Sequence, residues 1–384
     1  MAIASCGCDI VACFFLQTPM DGAEARENCK GIFSPAIFCV MRLAHALERS
    51  ATLAIRLPTF LWSLFLLYFS LPIFSFTFHL RWLSWKQRGD VLGWSQGMKA
   101  FYGFKVLQVH PERRLFTGKC IYLCNHRSWA DFMVDQYVTQ GRTLFMSRWA
   151  VAYVFPLFMV PMWFVRAVLL FKRGSIADKV AFNAWIDREW EKSTQTALGV
   201  YPEGHRSTTG VSLPLKRGML HYAFDRKIPV QVVIGANKEH ILSEKKMIVG
   251  FGRTVKVGYS EVLFPERFSD FQSFMSAVQS TWDSEWLEVM GADDAHDAHL
   301  PELEEPVPYR DTDPVNFFKL LLICPAEVAF FAYLMRWWIK VVLGGLWTWT
   351  APYSAVVFGA LSAWIVTSFG NALWWRETTS RKQR

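Results

Sequence analysis

Residues 120–131 read CIYLCNHRSWAD, a short apolar run followed by a histidine and then an aspartate. The run Cys120–Cys124 has the length and composition of a β-strand. We expect a helix to open at Ser128, which places His126 and Asp131 at one strand-to-helix corner. Because five positions separate these two residues, a turn rather than a regular helix must bring them together.

This pair of side chains suits a reaction that converts a hydroxyl into an ester. A neutral imidazole can accept the hydroxyl proton, and a carboxylate on its other nitrogen fixes the tautomer and stabilises the imidazolium. A second interpretation involves no chemistry. Ser128 and Asp131 also fit a capping box with Asp in place of Glu, and His126 is then only a histidine at the end of a strand.

A second block has the same organisation. The strand-like run Ala197–Tyr201 ends in Pro202-Glu203-Gly204-His205-Arg206-Ser207. The two blocks together resemble the glycerolipid acyltransferase family typified by lysophosphatidic acid acyltransferases, whose motifs are N-H-x-x-x-x-D and F-P-E-G-T-R. The first motif matches at every fixed position; in the second, Tyr201 replaces Phe and His205 replaces Thr. Looser matches fall at 167–173 and 228–232, and the resemblance covers roughly residues 95–290.

The resemblance implies roles for particular residues. His126 is expected to be the general base and Asp131 the residue that orients it. Among the substrate-binding residues, Arg206 is expected to clamp the acceptor phosphate and Arg173 to add a second cation. Backbone N–H groups around Gly204 are expected to stabilise the oxyanion.

Three further expectations concern the same site. Glu203 is expected to bind substrate, shape the loop or pair with an arginine. Acyl-CoA is the implied cosubstrate, and Lys216 and Arg217 are available to its phosphates. No metal and no bound organic cofactor is implied.

The composition predicts a membrane protein. Hydrophobic residues make up 52% of the chain and charged residues 19%, with 18 Trp and 32 Phe, whereas soluble domains contain about 25% charged residues. Trp and Tyr are common at membrane interfaces. The net charge of +8 suits an anionic membrane surface and phosphate-bearing substrates. Nucleic acid is not expected as a partner, because no basic run or nucleic-acid motif is present.

The chain is predicted to contain four regions. Residues 1–94 carry a membrane segment at about 57–80, and residues 95–290 form the acyltransferase domain. An acidic linker follows at 291–313, and 314–384 is a hydrophobic region with one or two membrane spans and a basic tail. The fold class is α/β, with a mixed, largely parallel sheet flanked by N- and C-terminal transmembrane helices.

The elements of the central domain follow from the local pattern. Strand-like stretches lie at 102–109, 119–124, 197–201, 229–235 and 254–259, and a helical pattern covers 178–193. The apolar stretch 149–171 cannot cross a membrane once, because His126 and Arg206 would then face opposite sides. It must be a buried or interfacial helix or must enter the membrane and return, and Pro156 and Pro161 favour a broken element.

Two further side-chain sets have alternative interpretations. Cys124 could act as a nucleophile with His126, as in a thioesterase or lipase, but adjacent strand residues point to opposite faces and packing is favoured. His296 and His299, close to several aspartates, could hold a metal; a solvated linker is the favoured interpretation.

The sequence therefore predicts an acyl-CoA-dependent acyltransferase that esterifies the free hydroxyl of a lysophospholipid, with 1-acylglycerol 3-phosphate as the first-choice acceptor and phosphatidic acid as product. The alternatives are another lysophospholipid or glycerol 3-phosphate as acceptor, and a membrane scaffold without activity. The expected location is the endoplasmic reticulum membrane, with a mitochondrial membrane as the alternative.

Overall fold

The computed structural model describes residues 47–48, 50–67, 70, 89–164, 166–172, 178–208, 210–291, 299–306 and 314–382. The chain divides after Ala54 into two compact units. The described residues of the first unit, 47–48 and 50–54, are helical. The sheet and the functional site belong to the second unit.

The second unit is built on a seven-stranded sheet with the order β1-β9-β6-β2-β5-β3-β4. Its strands from β2 to β6 run parallel, and β9 pairs antiparallel with β6 and parallel with β1. A separate two-stranded hairpin is formed by β7 and β8. The strands are β1 Lys105–Gln108, β2 Cys120–Cys124, β3 Thr143–Arg148, β4 Val168–Phe171, β5 Ala197–Val200, β6 Val230–Ala236, β7 Leu242–Ser243, β8 Ile248–Val249 and β9 Thr254–Tyr259.

Helices connect and cover these strands. They are α1 Ser50–Leu67, α2 Gly89–Tyr102, α3 Asp131–Val138, α4 Trp149–Val154, α5 Pro156–Phe164, α6 Lys179–Glu191, α7 Gly218–Asp225, α8 Phe271–Met290, α9 Pro314–Thr350 and α10 Ser354–Lys382. Of the described helices, α1 and the Ser354–Leu373 part of α10 are long and apolar enough to cross a membrane.

The pleat of the buried strands produces two cores, one on each face of the sheet. In β2, Tyr122 packs with α2, α3 and α5, whereas Ile121 and Leu123 pack on the other face with α6, α7 and α8. Every residue of β2 is buried, as expected for a parallel strand covered by helices on both faces. The predicted mixed α/β fold with a largely parallel sheet is confirmed.

All five predicted strands and the predicted helix at 178–193 are present. The bounds predicted at 254–259 are matched, those at 229–235 are shifted by one residue, and the other elements are shorter than predicted. The strand predicted from residue 102 begins only at Lys105, because α2 continues to Tyr102. Gly103 then ends that helix in the left-handed conformation, with φ of 62°, and its N–H donates to the Lys99 carbonyl. The strands β3 and β4 were not predicted.

The apolar stretch 149–171 is a broken element rather than a single crossing. Helix α4 ends at Val154, α5 begins at Pro156, and the chain returns to the sheet as β4. The break lies before Pro156, whereas Pro161 lies inside α5. In the C-terminal region, Pro352 separates α9 from α10, and the Gly344-Gly345 pair is accommodated within α9.

Candidate active site

The candidate site lies at one edge of the sheet. Because β2, β3, β5 and β6 are parallel, their carboxyl ends meet there, and open α/β sheets bind ligands at this edge. Four segments converge on it: residues 125–131 after β2, Arg148 at the end of β3, residues 201–207 after β5, and Lys238 after β6.

The two residues of the first motif are in direct contact. His126 Nδ1 lies 2.6 Å from Asp131 Oδ2, and the His126 side chain is 27% exposed whereas that of Asp131 is 1% exposed. The carboxylate therefore fixes the tautomer in which Nδ1 carries the proton. Nε2 is left as the nitrogen that can accept a proton.

A turn brings this pair together, as predicted. Asp131 Oδ2 also accepts the backbone N–H groups of Arg127 (2.6 Å) and Ser128 (3.0 Å). The prediction of a helix opening at Ser128 is wrong: α3 begins at Asp131, because the N–H groups before it turn around the carboxylate. Ser128 is therefore not the N-cap of α3, which is Ala130, and one Asp131 oxygen both closes the turn and orients the imidazole.

A buried lysine lies behind the pair. Lys238 is fully buried, and its Nζ lies 3.6 Å from Asp131 Oδ1 and 3.0 Å from Asp135 Oδ1. Burial would raise the pKa of Asp131, but the Lys238 charge and the His126 hydrogen bond outweigh it and hold this pKa below its usual value. Burial dominates at Asp135 and raises its pKa to about 6. Both carboxylates offset the burial of Lys238 and raise its pKa to about 12.

Tyr201 connects the His126 imidazole to the buried carboxylate of Asp135. Its ring stacks on the His126 imidazole, with 4.2 Å between ring centroids and 14° between planes. Its hydroxyl donates to Asp135 Oδ2 at 2.9 Å. The residue that replaces the motif Phe therefore contacts both the imidazole and the buried carboxylate.

The loop after β5 is tied to the His126 backbone. Glu203 Oε1 accepts the His126 N–H at 2.8 Å, and the Ser207 N–H donates to the His126 carbonyl at 2.8 Å. Glu203 is buried, which raises its pKa. This geometry favours the loop-shaping role over direct contact with substrate. The Gly204 N–H donates to the Tyr201 carbonyl at 3.1 Å, so it is already engaged within the turn.

One cation belongs to this loop and a second contacts it. Arg206 pairs with Glu244 at 3.0 Å, and its guanidinium lies 5.9 Å from the Trp129 ring centroid. Arg148 Nη2 donates to the Gly204 carbonyl at 3.1 Å. Neither Arg148 nor Glu244 was predicted. The signal for Arg148 is its position at the end of the strand-like run Thr143–Arg148, at the same edge as His126.

Arg173 lies outside the described residues. It follows β4, which is three strand positions from β2, about 14 Å at the usual strand spacing. Arg148 ends β3, one position nearer to His126. The described neighbour Lys172 is exposed.

The structure describes only some of the residues of the two alternative sites, the Cys124 thiol and the histidines near residue 296. Cys124 is fully buried, and burial raises the pKa of its thiol well above the usual value, which disfavours a nucleophile. His296 lies outside the described residues. A different donor group, His110, Glu285 and Glu288, is occupied by Arg113, whose Nη1 donates to both glutamates at 2.8 and 3.2 Å.

Comparison with known proteins finds a family match over this part of the chain. The sequence profile of the Acyltransferase family matches residues 106–234. That range contains both motifs and the strands from β2 to β5 complete.

Individual relatives match more distantly. The chain is 24% identical over 176 residues to human 1-acyl-sn-glycerol-3-phosphate acyltransferase beta, covering 45% of this chain and 62% of that protein. It is 29% identical over 188 residues to the Saccharomyces cerevisiae 1-acyl-sn-glycerol-3-phosphate acyltransferase, covering 45% and 58%. The matches thus span about three fifths of the length of these relatives. The crystal structure of the LPA acyltransferase PlsC from Thermotoga maritima aligns with a TM-score of 0.42 at 15% identity, covering 52% of this chain and 78% of that one.

Proposed function

Because the chain belongs to the acyltransferase family, we propose that it transfers an acyl group from acyl-CoA to the free hydroxyl of a lysophospholipid. The proposed acceptor is 1-acylglycerol 3-phosphate and the product is phosphatidic acid. The observation that carries the proposal is the 2.6 Å contact between His126 Nδ1 and Asp131 Oδ2 at a partly exposed position. This arrangement suits removal of a proton from a hydroxyl.

The reaction follows from that geometry. As the acceptor oxygen attacks the thioester carbonyl, its proton passes to His126 Nε2, and Asp131 stabilises the imidazolium. The tetrahedral intermediate then breaks the carbon–sulfur bond. The leaving thiolate takes the proton from His126, which returns to its starting state. The products are the ester and free CoA.

Two charged centres need protein partners during these steps. The acceptor phosphate suits the Arg206 guanidinium, which can donate two parallel hydrogen bonds to phosphate oxygens. Arg148, at the end of β3, offers a second cation, because it contacts the same loop at the Gly204 carbonyl. Arg173 remains proposed for this role. Since the Gly204 N–H is engaged within the turn, the N–H groups of His205 and Arg206 become the proposed oxyanion donors.

We also place the enzyme at a membrane, and propose that of the endoplasmic reticulum. Helix α1 has 18 residues and the apolar part of α10 has 20, or about 27 and 30 Å at 1.5 Å per residue. These two helices meet where Thr59 Oγ1 and Ser368 Oγ lie 2.8 Å apart. Phe60 on α1 stacks on Trp129 of the site, with 6.1 Å between ring centroids, so α1 would hold the site at the membrane surface.

The helices α4 and α5 add an apolar surface beside the site. Residues 149–164 contain no charged residue. Trp149, Tyr153 and Trp163 are exposed, and aromatic side chains of this kind favour the membrane interface. Phe155, between the two helices, packs on Trp129 with 5.1 Å between ring centroids.

One observation favours a second acceptor class. Arg206 already pairs with Glu244, whose other oxygen accepts the backbone N–H of Trp129 at 3.3 Å. An adjacent cation and anion match the phosphate and ammonium of a zwitterionic head group such as phosphocholine or phosphoethanolamine. The imidazole of His205, in place of the motif Thr, also alters this part of the site. A zwitterionic lysophospholipid is therefore the second candidate acceptor.

Membranes containing the wild-type chain or His126→Ala test the proposal. With oleoyl-CoA and a panel of lysophospholipids and glycerol 3-phosphate, the wild type should acylate 1-acylglycerol 3-phosphate. The variant should lose activity by roughly 10²- to 10⁴-fold. His221→Ala is the matched control, because the exposed His221 stacks on Phe271 on the other face of the sheet. Full activity of His126→Ala would exclude His126 as the base. A folded wild type inactive on every acceptor would point to the scaffold.

A further inference from the structure

We propose that Lys238 is a positioning residue, whose charge holds Asp131 in the ionised, His126-oriented arrangement that the transfer requires, with Asp135 opposing this effect. The proposal rests on the proposed function, since it assigns Lys238 an effect on the His126–Asp131 pair. It concerns a fully buried cation that contacts no exposed part of the site.

The contacts of Lys238 are specific. Its Nζ donates to the Asn125 carbonyl at 2.6 Å and to Asp135 at 3.0 and 3.2 Å, and it lies 3.6 Å from Asp131 Oδ1. The ammonium therefore bridges the end of β2, which leads directly to His126, and two successive turns of α3. A buried ammonium is stable only when such partners compensate for its lost hydration.

The backbone is shaped to admit this side chain. Asn237 has φ of 67°, a left-handed conformation that is unusual for a residue other than glycine, and it lies immediately before Lys238. Gly235 leaves room for the lysine stem, since a Cβ there would approach Lys238 Cδ to 3.1 Å. Asn125 fixes the same region, because its side chain exchanges two hydrogen bonds of 2.9 Å with the Gly235 backbone.

The charges around the pair have opposite effects on proton uptake. His126 and Asp131 together become inactive when they bind one further proton. The Lys238 cation disfavours that uptake, whereas the Asp135 anion favours it. The other titratable groups facing this cluster are the Cys124 thiol on β2, the Tyr201 hydroxyl, and Glu203 on the loop after β5. Burial keeps both the thiol and the phenol protonated.

The test compares pH profiles of kcat/KM for one acceptor. In Lys238→Met, the midpoint of the acidic limb should rise by roughly one pH unit, because a nearby cation is removed. In Asp135→Asn, the midpoint should fall, since the lysine charge then acts on Asp131 alone. This fall should be less than about one pH unit, because Asp135 is itself partly protonated near pH 6. Lys119→Met, at the opposite end of β2 and exposed over the Trp190 ring, should leave the midpoint unchanged.

A purely structural role for Lys238 would not shift the two variants in opposite directions. If both midpoints stay within about 0.2 unit of the wild type, or move the same way, the proposal fails. If Lys238→Met does not fold, as judged by thermal melting, Asp135→Asn is compared with the double variant Lys238→Met/Asp135→Asn. These two differ only in the lysine, and the double variant should have the higher midpoint by roughly one unit. Equal midpoints would overturn the proposal.

Failure of this proposal is distinct from failure of the proposed function. An active wild type with an inactive His126→Ala supports the acyltransferase function whatever the pH profiles show. An inactive wild type would instead remove the function, and with it the step that Lys238 is proposed to assist.

Discussion

The Arg206 guanidinium lies 3.0 Å from the Glu244 carboxylate, on a loop whose Ser207 N–H is bonded to the His126 carbonyl. The cation proposed to hold the acceptor phosphate thus has an anionic partner before substrate arrives. A dianionic phosphate must displace or share this partner. A zwitterionic head group could instead use both charges.

Glu244→Gln should therefore change acceptor preference. Removing the carboxylate charge leaves Arg206 free to bind the more anionic acceptor. The ratio of kcat/KM for 1-acylglycerol 3-phosphate to that for lysophosphatidylcholine should rise by roughly tenfold, equivalent to about 1.4 kcal/mol. Initial rates with both acceptors in the same membranes measure this ratio.

The control for this variant is Glu266→Gln, the same change at an exposed residue of the short Pro265–Arg267 turn. Its ratio should equal that of the wild type. An unchanged ratio in Glu244→Gln would show that Glu244 does not affect head-group selection, whatever its effect on the absolute rates.

Asp131→Asn should lower kcat by roughly 10²- to 10⁴-fold. One carboxylate oxygen accepts from the imidazole and from two backbone N–H groups, and an amide cannot stabilise the imidazolium by charge. Asp178→Asn is the control: Asp178 caps α6 by accepting from Val180 N and Ala181 N, and Asn is an equally good N-cap. Near-normal kcat in a folded Asp131→Asn would contradict the base–orienter pair.

Much of the fold was predictable because its signals are local. Buried parallel strands such as Cys120–Cys124 are continuous apolar runs bounded by polar residues. The motif residues could be placed because His126 and Asp131 belong to one short turn. The strand β4 was not predicted, since its four apolar residues sit in a longer apolar stretch that also contains α4 and α5.

The other residues of the site could be identified only from the tertiary structure. Lys238 is more than a hundred positions from Asp131 in the sequence, and Glu244 is equally remote from Trp129. Only the pairing of β2 with β6 brings these segments together. A partial signal exists for Lys238, which is the first charged residue after the uncharged strand Val230–Ala236. Its burial could not be inferred, because most lysines are exposed.

Gly204→Ala tests whether the loop conformation matters for activity. Gly204 has φ of 75°, and an L-residue in this region costs about 1–2 kcal/mol. Space is available, because a Cβ would meet Lys216 only at 3.5 Å. The variant should therefore fold and show reduced kcat/KM. Gly210→Ala, where a Cβ meets nothing within 4 Å, should retain wild-type kinetics. Equal activity of the two variants would refute the need for this turn.

Cys124→Ala separates acyl transfer by a histidine base from thiol catalysis. The thiol is fully buried in the core, so its loss should lower stability by about 1 kcal/mol and leave kcat nearly unchanged. Assays before and after treatment with N-ethylmaleimide, together with thermal melting, provide the measurement. A folded Cys124→Ala protein without activity would support the thioesterase or lipase alternative.

The raised pKa of Asp135 predicts an unusual pH dependence of stability. Its pKa is about 6 in the folded protein because burial outweighs the attraction of Lys238, against a usual value of about 3.9 for an unfolded chain. The folded state therefore binds the Asp135 proton more tightly than the unfolded chain does. The resulting stability is fully present below about pH 3.9 and is lost as the pH rises through 6.

Asp135→Asn removes this titration, so the variant is the reference against which the wild type is compared. Groups that do not contact Asp135 titrate in the same way in both proteins and largely cancel in the comparison. The Tm of the wild type minus that of Asp135→Asn, measured in detergent at matched ionic strength, should decrease from pH 4 to pH 7. The opposite trend would mean that Lys238 stabilises ionised Asp135 more than burial opposes it. The lysine charge would then be neutralised mainly by Asp135, leaving Asp131 to depend on His126 and the two backbone N–H groups.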